Sequence, residues 1–174
     1  MYTFAPDEKS SPVMIYTPAT LVYGEVVTRQ NIRVSTWLRT DGALEYLHLL
    51  KPQIISLISN PPKVLAYSEI YLPNAQVVGF HLTPPAHDPL DYDENEQNRI
   101  MQPIIILVGT FILNGHLRIS TKVDLGTSFS TARSARMSVY DVKVSNPFLP
   151  QMGEERVPML VVRPGLVSFA LQSA

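Results

Sequence analysis

Two polar motifs with the same pattern, Arg-x-Ser-Thr, are the strongest candidates for chemistry in this chain of 174 residues. An arginine guanidinium presents a planar fork of donors and the adjacent hydroxyls add more, which suits a phosphate or a carboxylate ligand. In the interpretation that we prefer, each arginine instead pairs with a backbone carbonyl or a carboxylate and fixes a bend of its own strand. The two motifs could equally be a contact surface between repeats or subunits. They comprise Arg33, Ser35 and Thr36, and Arg118, Ser120 and Thr121.

Oxygen-bearing side chains alternate from Asp91 to Gln97, as the ligands of calcium loops do. An EF-hand loop also requires glycine at its sixth position and glutamate at its twelfth. Those positions hold Glu96 and Gln102, and the flanking sequence has no helical pattern. The segment is therefore interpreted as a solvated acidic linker, without a metal ion.

A second candidate metal site would combine His81, His87 and Asp88, which are close in sequence. His81 falls at the end of a predicted strand, whereas His87 lies in a proline-rich segment, so the spacing does not bring the three side chains to one face. We expect neither a metal nor a cofactor.

Nucleophilic catalysis has no supporting pattern in this sequence. The chain has no cysteine, which excludes thiolate catalysis, disulfides and cysteine-ligated zinc. No serine lies in a G-x-S-x-G motif, and the eight glycines form neither a phosphate loop nor a dinucleotide fingerprint. The prediction is a protein that is not an enzyme and has no catalytic residue.

The elements that must position these residues are predicted from an internal repeat. Residues 18–38 match residues 103–123 at a distance of 85 positions, so that Gly24 aligns with Gly109 and Arg33 with Arg118. The aligned segments alternate apolar and polar residues and are rich in β-branched side chains, which is typical of strands. A glycine inside a strand indicates a bend or a close backbone approach.

An all-β fold of two tandem five-stranded barrels follows from this duplication. The predicted repeats are residues 13–82 and 100–174, preceded by a flexible tail over residues 1–12. Residues 83–99 are dense in proline and aspartate, carry a net charge of −4, and are predicted to be a connector. Each repeat is predicted to end in a tight pair of strands, Leu65–Leu72 with Gln76–Leu82 in the first.

The five strands, the glycine-bearing first pair, the LHLL strand (residues 47–50) and the final pair resemble the Sm-like small barrel. The segment YLPNAQVVGFHL (residues 71–82) has the hydrophobic spacing of the second Sm motif. Pro73-Asn74 and Val162-Arg163 occupy the positions where that family has Arg-Gly, so no RNA-binding residue is carried over. The whole chain is also similar to a family of uncharacterised bacterial proteins with a duplicated β-domain, a resemblance that implies no activity and no site.

The predicted function is a non-enzymatic structural or interaction module that assembles with itself or with another protein through barrel edges. The final strand pairs are the predicted pairing surface, since an edge strand must be covered, charged or paired. This surface consists of Tyr71, Val77, Val78, Phe80, Leu160, Leu166, Val167 and Phe169.

The alternative function is an Sm-like RNA-binding or regulatory protein. A basic patch of Arg118, Lys122, Arg133 and Arg136 would support it. The net charge of −1 supplies no bulk attraction for nucleic acid or for an anionic membrane, so this alternative is not favoured. No secretion signal and no spanning run is recognised, and a cytoplasmic location is expected.

Overall fold

Strands hold 52% of the residues and helices 14% in a computed structural model that describes residues 2–39, 45–59, 61–131 and 135–171. The all-β prediction is therefore confirmed. The chain divides into two units, Met1–Asp88 and Pro89–Ala174, and the division falls inside the predicted connector. We call them unit 1 and unit 2.

Unit 1 contains one antiparallel sheet in the order β6-β1-β2-β3-β4, and β5 pairs with the first half of β3. Alternate residues of β1, such as Val13 and Ile15, are completely buried, because successive strand side chains point to opposite faces of a sheet. The elements are β1 (Glu8–Tyr16), β2 (Thr20–Arg29), α1 (Val34–Arg39), β3 (Tyr46–Ser56), β4 (Lys63–Ala66), β5 (Glu69–Pro73) and β6 (Gly79–Leu82).

Unit 2 contains an antiparallel sheet in the order β11-β7-β8-β9-β10. Its buried face is formed by alternate residues of β8 and β9, among them Phe111, Leu113, Val142 and Val144. The elements are β7 (Arg99–Val108), β8 (Phe111–Ser120), α2 (Leu125–Thr131), β9 (Met137–Ser145), β10 (Glu155–Val162) and β11 (Ser168–Ala170).

Both units carry a β-bulge at a glycine in the second strand. The β2–β3 register shifts at Gly24, and the β8–β9 register shifts at Gly115. Opposite each glycine the partner strand places two residues, and one of them has a positive φ, which is 48° for Lys51 and 47° for Asp141. A bulge of this kind bends its strand and raises the local twist.

The tight strand pairs predicted at the end of each repeat are wrong. β5 pairs with β3, whereas β6 pairs with β1 at the opposite side of the sheet, and the 3₁₀ turn Asn74–Gln76 separates the two strands. In unit 2, β11 likewise pairs with β7. Alternation alone specifies which face of a strand is buried but not which neighbour it joins, and this is why the prediction failed.

Two further expectations need correction. The described part of unit 1 has six strands where five were predicted, because the chain leaves the ladder between Ala66 and Glu69. β1 begins at Glu8, within the predicted tail 1–12. The sheet traced by the described strands is open, and the two five-stranded barrels stay a prediction.

The two glycines that the sequence comparison aligned occupy different positions. Gly24 lies within β2, whereas Gly109 lies in the turn between β7 and β8 with a φ of 57°. By its bulge, Gly24 corresponds to Gly115, at a distance of 91 positions. The alignment of the two repeats at an offset of 85 positions therefore matched a glycine in a turn with a glycine in a strand. No helix in the described ranges has the length and apolar character needed to span a bilayer.

Candidate functional site

Arg118 is held by the acidic segment 91–96 of unit 2. Its Nη1 lies 3.1 Å from Glu96 Oε2, and its Nη2 donates to the backbone carbonyl of Asp93 at 2.6 Å. Its guanidinium carbon also lies 4.6 Å from the ring centre of Tyr92. Arg118 is thus engaged with a carboxylate and a carbonyl, as the preferred interpretation expected, and its role in fixing a bend of β8 stays a prediction.

A second set of contacts fixes the same segment to β9. Ser138 donates a hydrogen bond from its hydroxyl to Asp91 Oδ2 at 2.9 Å, and Tyr140 donates from its phenol to Asp91 Oδ1 at 2.7 Å. The rings of Tyr92 and Tyr140 meet edge to face, with centres 4.8 Å apart. The acidic segment is thus an ordered part of unit 2, and Asp93 Oδ1 accepts bonds from the backbone and side-chain nitrogens of Asn95.

Arg33 has a different environment from Arg118. It is exposed immediately before α1, and its carbonyl accepts the N–H of Trp37. Ser35 is buried at the start of α1, where its backbone N–H donates to Asp88 Oδ2 at 2.9 Å, and Thr36 is exposed. The structure therefore places the first motif at a helix start and the second on a strand.

The rest of the second motif fixes the turn that leaves β8. The backbone N–H of Thr121 donates to the carbonyl of Asn98 at 3.0 Å, and Ser120 Oγ accepts the N–H of Lys122 at 3.2 Å. These hydrogen bonds satisfy backbone N–H groups of the turn that follows β8.

The predicted basic patch is not assembled as expected. Arg136 is buried, and burial first and then the neighbouring charge of Arg163 lower its pKa to about 10. Lys122 is exposed, and Arg133 lies outside the described residues. The guanidinium of Arg118 is already bound to Glu96 and to the carbonyl of Asp93.

The eight residues of the predicted pairing surface divide by exposure. Val77, Val78, Phe80 and Leu160 are buried. Tyr71 and Leu166 are exposed, and Val167 and Phe169 are half-buried. Phe169 packs on Phe129 of α2 at 4.2 Å, and Tyr71 stacks on His48 of β3 at 4.6 Å.

An exposed strand edge is formed by β4, the strand that ends the order of unit 1. All four of its residues are exposed, including Val64 at 65% and Leu65 at 43%, and within the described residues it pairs only with β3. Tyr67 and Ile58, on either side of β4, are exposed as well. An exposed apolar edge strand offers backbone donors and acceptors to another chain.

Sequence reasoning missed β4 as a separate edge. Leu65 was placed in a longer predicted strand, because a run of apolar residues is also typical of a buried strand. The prolines 61 and 62 before β4 were the available signal, since proline is confined to edges and strand ends.

A further group missed by the sequence is an aromatic cluster around His48. His48 Nε2 lies 2.8 Å from Glu69 Oε2, and the ring of Tyr2 meets the imidazole edge to face at 5.2 Å. Tyr2 also donates to the Glu8 carboxylate at 3.0 Å, which raises the pKa of the Tyr2 phenol. These contacts fasten the start of the chain to the β3–β5 ladder.

Titratable groups give no support for a metal centre. Across the described ranges, no three histidine, aspartate or glutamate side chains are grouped so that they could hold an ion. Within the described residues, the two units are all-β, each has a bulge at a glycine, and β4 is an exposed apolar edge strand. Comparison with family models, with curated proteins and with solved structures finds no match.

Proposed function

We propose that this protein is a non-enzymatic interaction module that assembles with a second copy of itself through β4. The observation that carries the proposal is the exposure of Val64 and Leu65 on a strand that has one described neighbour. Ladder groups on the outer side of such a strand are satisfied when another strand is added.

The sequence of β4 is complementary to itself in an antiparallel pair. If the two-fold axis passes between Val64 and Leu65, each Val64 lies opposite Leu65 of the second copy, and each Lys63 lies opposite Ala66. Apolar residues then meet apolar residues, and no like charges are directly opposed. A two-fold interface of this type uses the same patch on both copies and closes at a dimer.

The proposal includes the origin of the two units by duplication and their description as Sm-like small barrels. Support comes from the common order, in which the last strand of each unit pairs with the first, and from the bulges at Gly24 and Gly115. A first strand that pairs with both the second and the last strand, and a third strand bent by a bulge, are features that a small barrel would use.

The test is the absolute mass by light scattering during gel filtration, at low and at high salt. We expect about twice the chain mass of 19.5 kDa for the wild type at either salt concentration. The variant Val64→Lys/Leu65→Lys should run as a monomer, because the introduced lysines would be directly opposed in two pairs, one on each face of the strands. Circular dichroism should show the same strand content in both proteins.

The matched control is Phe148→Lys, which replaces an exposed apolar residue of unit 2 and should leave the dimer intact. A monomeric wild type, or a double variant that keeps the wild-type mass, would contradict the proposal. Absorbance at 260 nm that falls as salt rises would instead favour the nucleic-acid alternative.

A further inference from the structure

The outer face of the unit 2 sheet contains a cleft of about 220 Å³ above the bulge at Gly115. Its lining comes from four adjacent strands, β7 to β10. The polar members are Asn114, His116, Asp141, Lys143 and Arg156, and the apolar members are Pro103, Ile104 and Ile105.

Two positive charges are directly opposed beside this cleft. Lys143 of β9 pairs in register with Arg156 of β10, and on its other side Lys143 pairs with Asn114 of β8. Like charges directly opposite each other in an antiparallel pair are destabilising. Two cations held side by side on a concave surface can contact the same anion.

Carboxylates of the same unit already approach both cations. Glu154 Oε2 lies 2.6 Å from Lys143 Nζ, and the pKa of Glu154 is lowered by that hydrogen bond first, with a smaller contribution from the charge of Arg156. Asp141 Oδ1 lies 3.9 Å from Arg156 Nη1, which is longer than a hydrogen bond. Glu154 and Asp141 are both largely exposed, and exposed pairs of this kind are weak and exchangeable.

The bulge brings Asp141 into this group. Its φ of 47° is in the left-handed region, which an aspartate tolerates better than most residues. Bulges are frequent where a strand must re-aim a side chain beside a functional site. At the equivalent bulge of unit 1 the residue with positive φ is Lys51, whose ammonium lies 3.1 Å from the Glu25 carboxylate. Lys51 therefore serves as a control position for Asp141 and its neighbours.

We infer that this cleft binds an oxyanion, either a carboxylate or a phosphate group. Lys143 and Arg156 supply the charge, Asn114 supplies an amide donor, and His116 supplies a ring N–H. Arginine and lysine side by side bind such groups through charge-assisted hydrogen bonds. The anion replaces Glu154 at Lys143 and Asp141 at Arg156, so both exposed carboxylates act as internal competitors. The site contains no residue of β4, so its test does not depend on assembly of two copies.

The experiment is a titration of ¹⁵N-labelled protein with inorganic phosphate and, separately, with a hexaglutamate peptide, at constant ionic strength. In the wild type, the amide signals of Gly115 and His116 should shift and saturate. The variant Lys143→Gln/Arg156→Gln should bind at least about tenfold more weakly, the scale expected when two hydrogen-bonded charges are lost. Lys51→Gln is the matched control and should bind as the wild type does.

A second variant tests the competition directly. Glu154→Gln removes one internal carboxylate and should tighten binding by about twofold to fivefold, the scale of an exposed ion pair. Binding of phosphate alone assigns the cleft to a small anion, and stronger binding of hexaglutamate assigns it to an acidic peptide. Unsaturable shifts with both probes, or equal binding by the double variant, would overturn the inference.

Discussion

The phenolic hydroxyl of Tyr16 lies 3.1 Å from Nε2 of His81, and the other ring nitrogen of His81, Nδ1, lies 3.1 Å from the backbone carbonyl of Leu82. A carbonyl oxygen only accepts, so Nδ1 carries the proton and Nε2 accepts from the phenol. The pair joins β1 to β6 at a separation of 65 residues. His81 is 2% exposed, and burial lowers its pKa to about 4.

The stability of the fold should fall as pH decreases from about 6.5 to 4. The pKa of His81 changes from an ordinary value of 6.5 to about 4 on folding, so the unfolded chain binds more protons in this range. The contribution of neutral His81 is complete above pH 6.5 and is lost progressively below it. The full effect is about 3 kcal/mol, because each pKa unit corresponds to about 1.4 kcal/mol.

Urea unfolding measured at pH 4.5, 5.5, 6.5 and 7.5 checks this expectation against His81→Gln. Glutamine does not titrate, and its amide can accept from Tyr16 and donate to the Leu82 carbonyl. The free energy of unfolding of the wild type, relative to this variant, should decrease toward acid pH. A difference that is flat with pH would show that His81 does not titrate as described.

Gly115→Ala should destabilise the protein much more than Gly24→Ala, although both glycines lie at a bulge. A Cβ at residue 115 would lie 2.9 Å from Val139 Cγ1 and 3.0 Å from the Tyr140 carbonyl oxygen. At residue 24 the nearest atom would be 3.4 Å away, the Leu50 carbonyl oxygen. We expect a loss of about 1–3 kcal/mol for Gly115→Ala and less than about 1 kcal/mol for Gly24→Ala. Denaturant unfolding measures both, and equal losses would refute the difference.

Arg118→Ala should release residues 93–96 of the acidic segment from the sheet of unit 2, while Asp91 stays bonded to Ser138 and Tyr140. The variant loses a partly buried ion pair and a charge-assisted bond to a carbonyl, for which we expect about 2 kcal/mol of lost stability. Limited proteolysis should then cleave within the segment. Arg33→Ala is the control, because Arg33 is exposed, and it should change stability by less than about 0.5 kcal/mol. A segment that stays resistant in the Arg118 variant would exclude this role.

Lys51→Gly should stabilise unit 1. A φ of 48° strains a lysine but not a glycine, and relief of this strain is worth about 1 kcal/mol. The exposed ion pair between Lys51 and Glu25 is lost, which lowers the free energy of unfolding by only about 0.3 kcal/mol. The thermal midpoint should therefore rise. Lys51→Ala keeps the strain and loses the same ion pair, so it should not raise the midpoint.

The sequence was sufficient for the fold class and for the faces of the strands. Alternation and β-branched residues identify the buried positions, as in β2 and β8, because burial of one face depends on local pattern. Strand partners depend on contacts between distant residues. The pairing of Ile15 with Phe80 in unit 1 is not encoded by either segment alone, and the predicted tight pairs failed for that reason.

The candidate sites were likewise predictable only where they depend on local sequence and not on strand pairing. The opposite charges of the acidic connector and Arg118 were visible in the sequence, and the structure brings them together. The opposed Lys143 and Arg156 were not visible as a pair, because their adjacency depends on the β9–β10 register. Arg33 and Arg118 looked alike because the comparison at 85 positions matched composition and not equivalent positions in the ladder.

The pairing of the last strand of each unit with its first has a consequence for synthesis on the ribosome. β1 can join β2 as soon as the hairpin has emerged, but its other side is completed only by Gly79–Leu82. During that interval Val13 and Ile15 of the nascent chain belong to a strand with one unpaired edge. The interval is long because contacts between residues distant in sequence form slowly. Unit 2 repeats the delay, from β7 to the strand that begins at Ser168. A chain of this topology therefore passes through two aggregation-exposed intervals during translation, and a pause in either one extends the exposure.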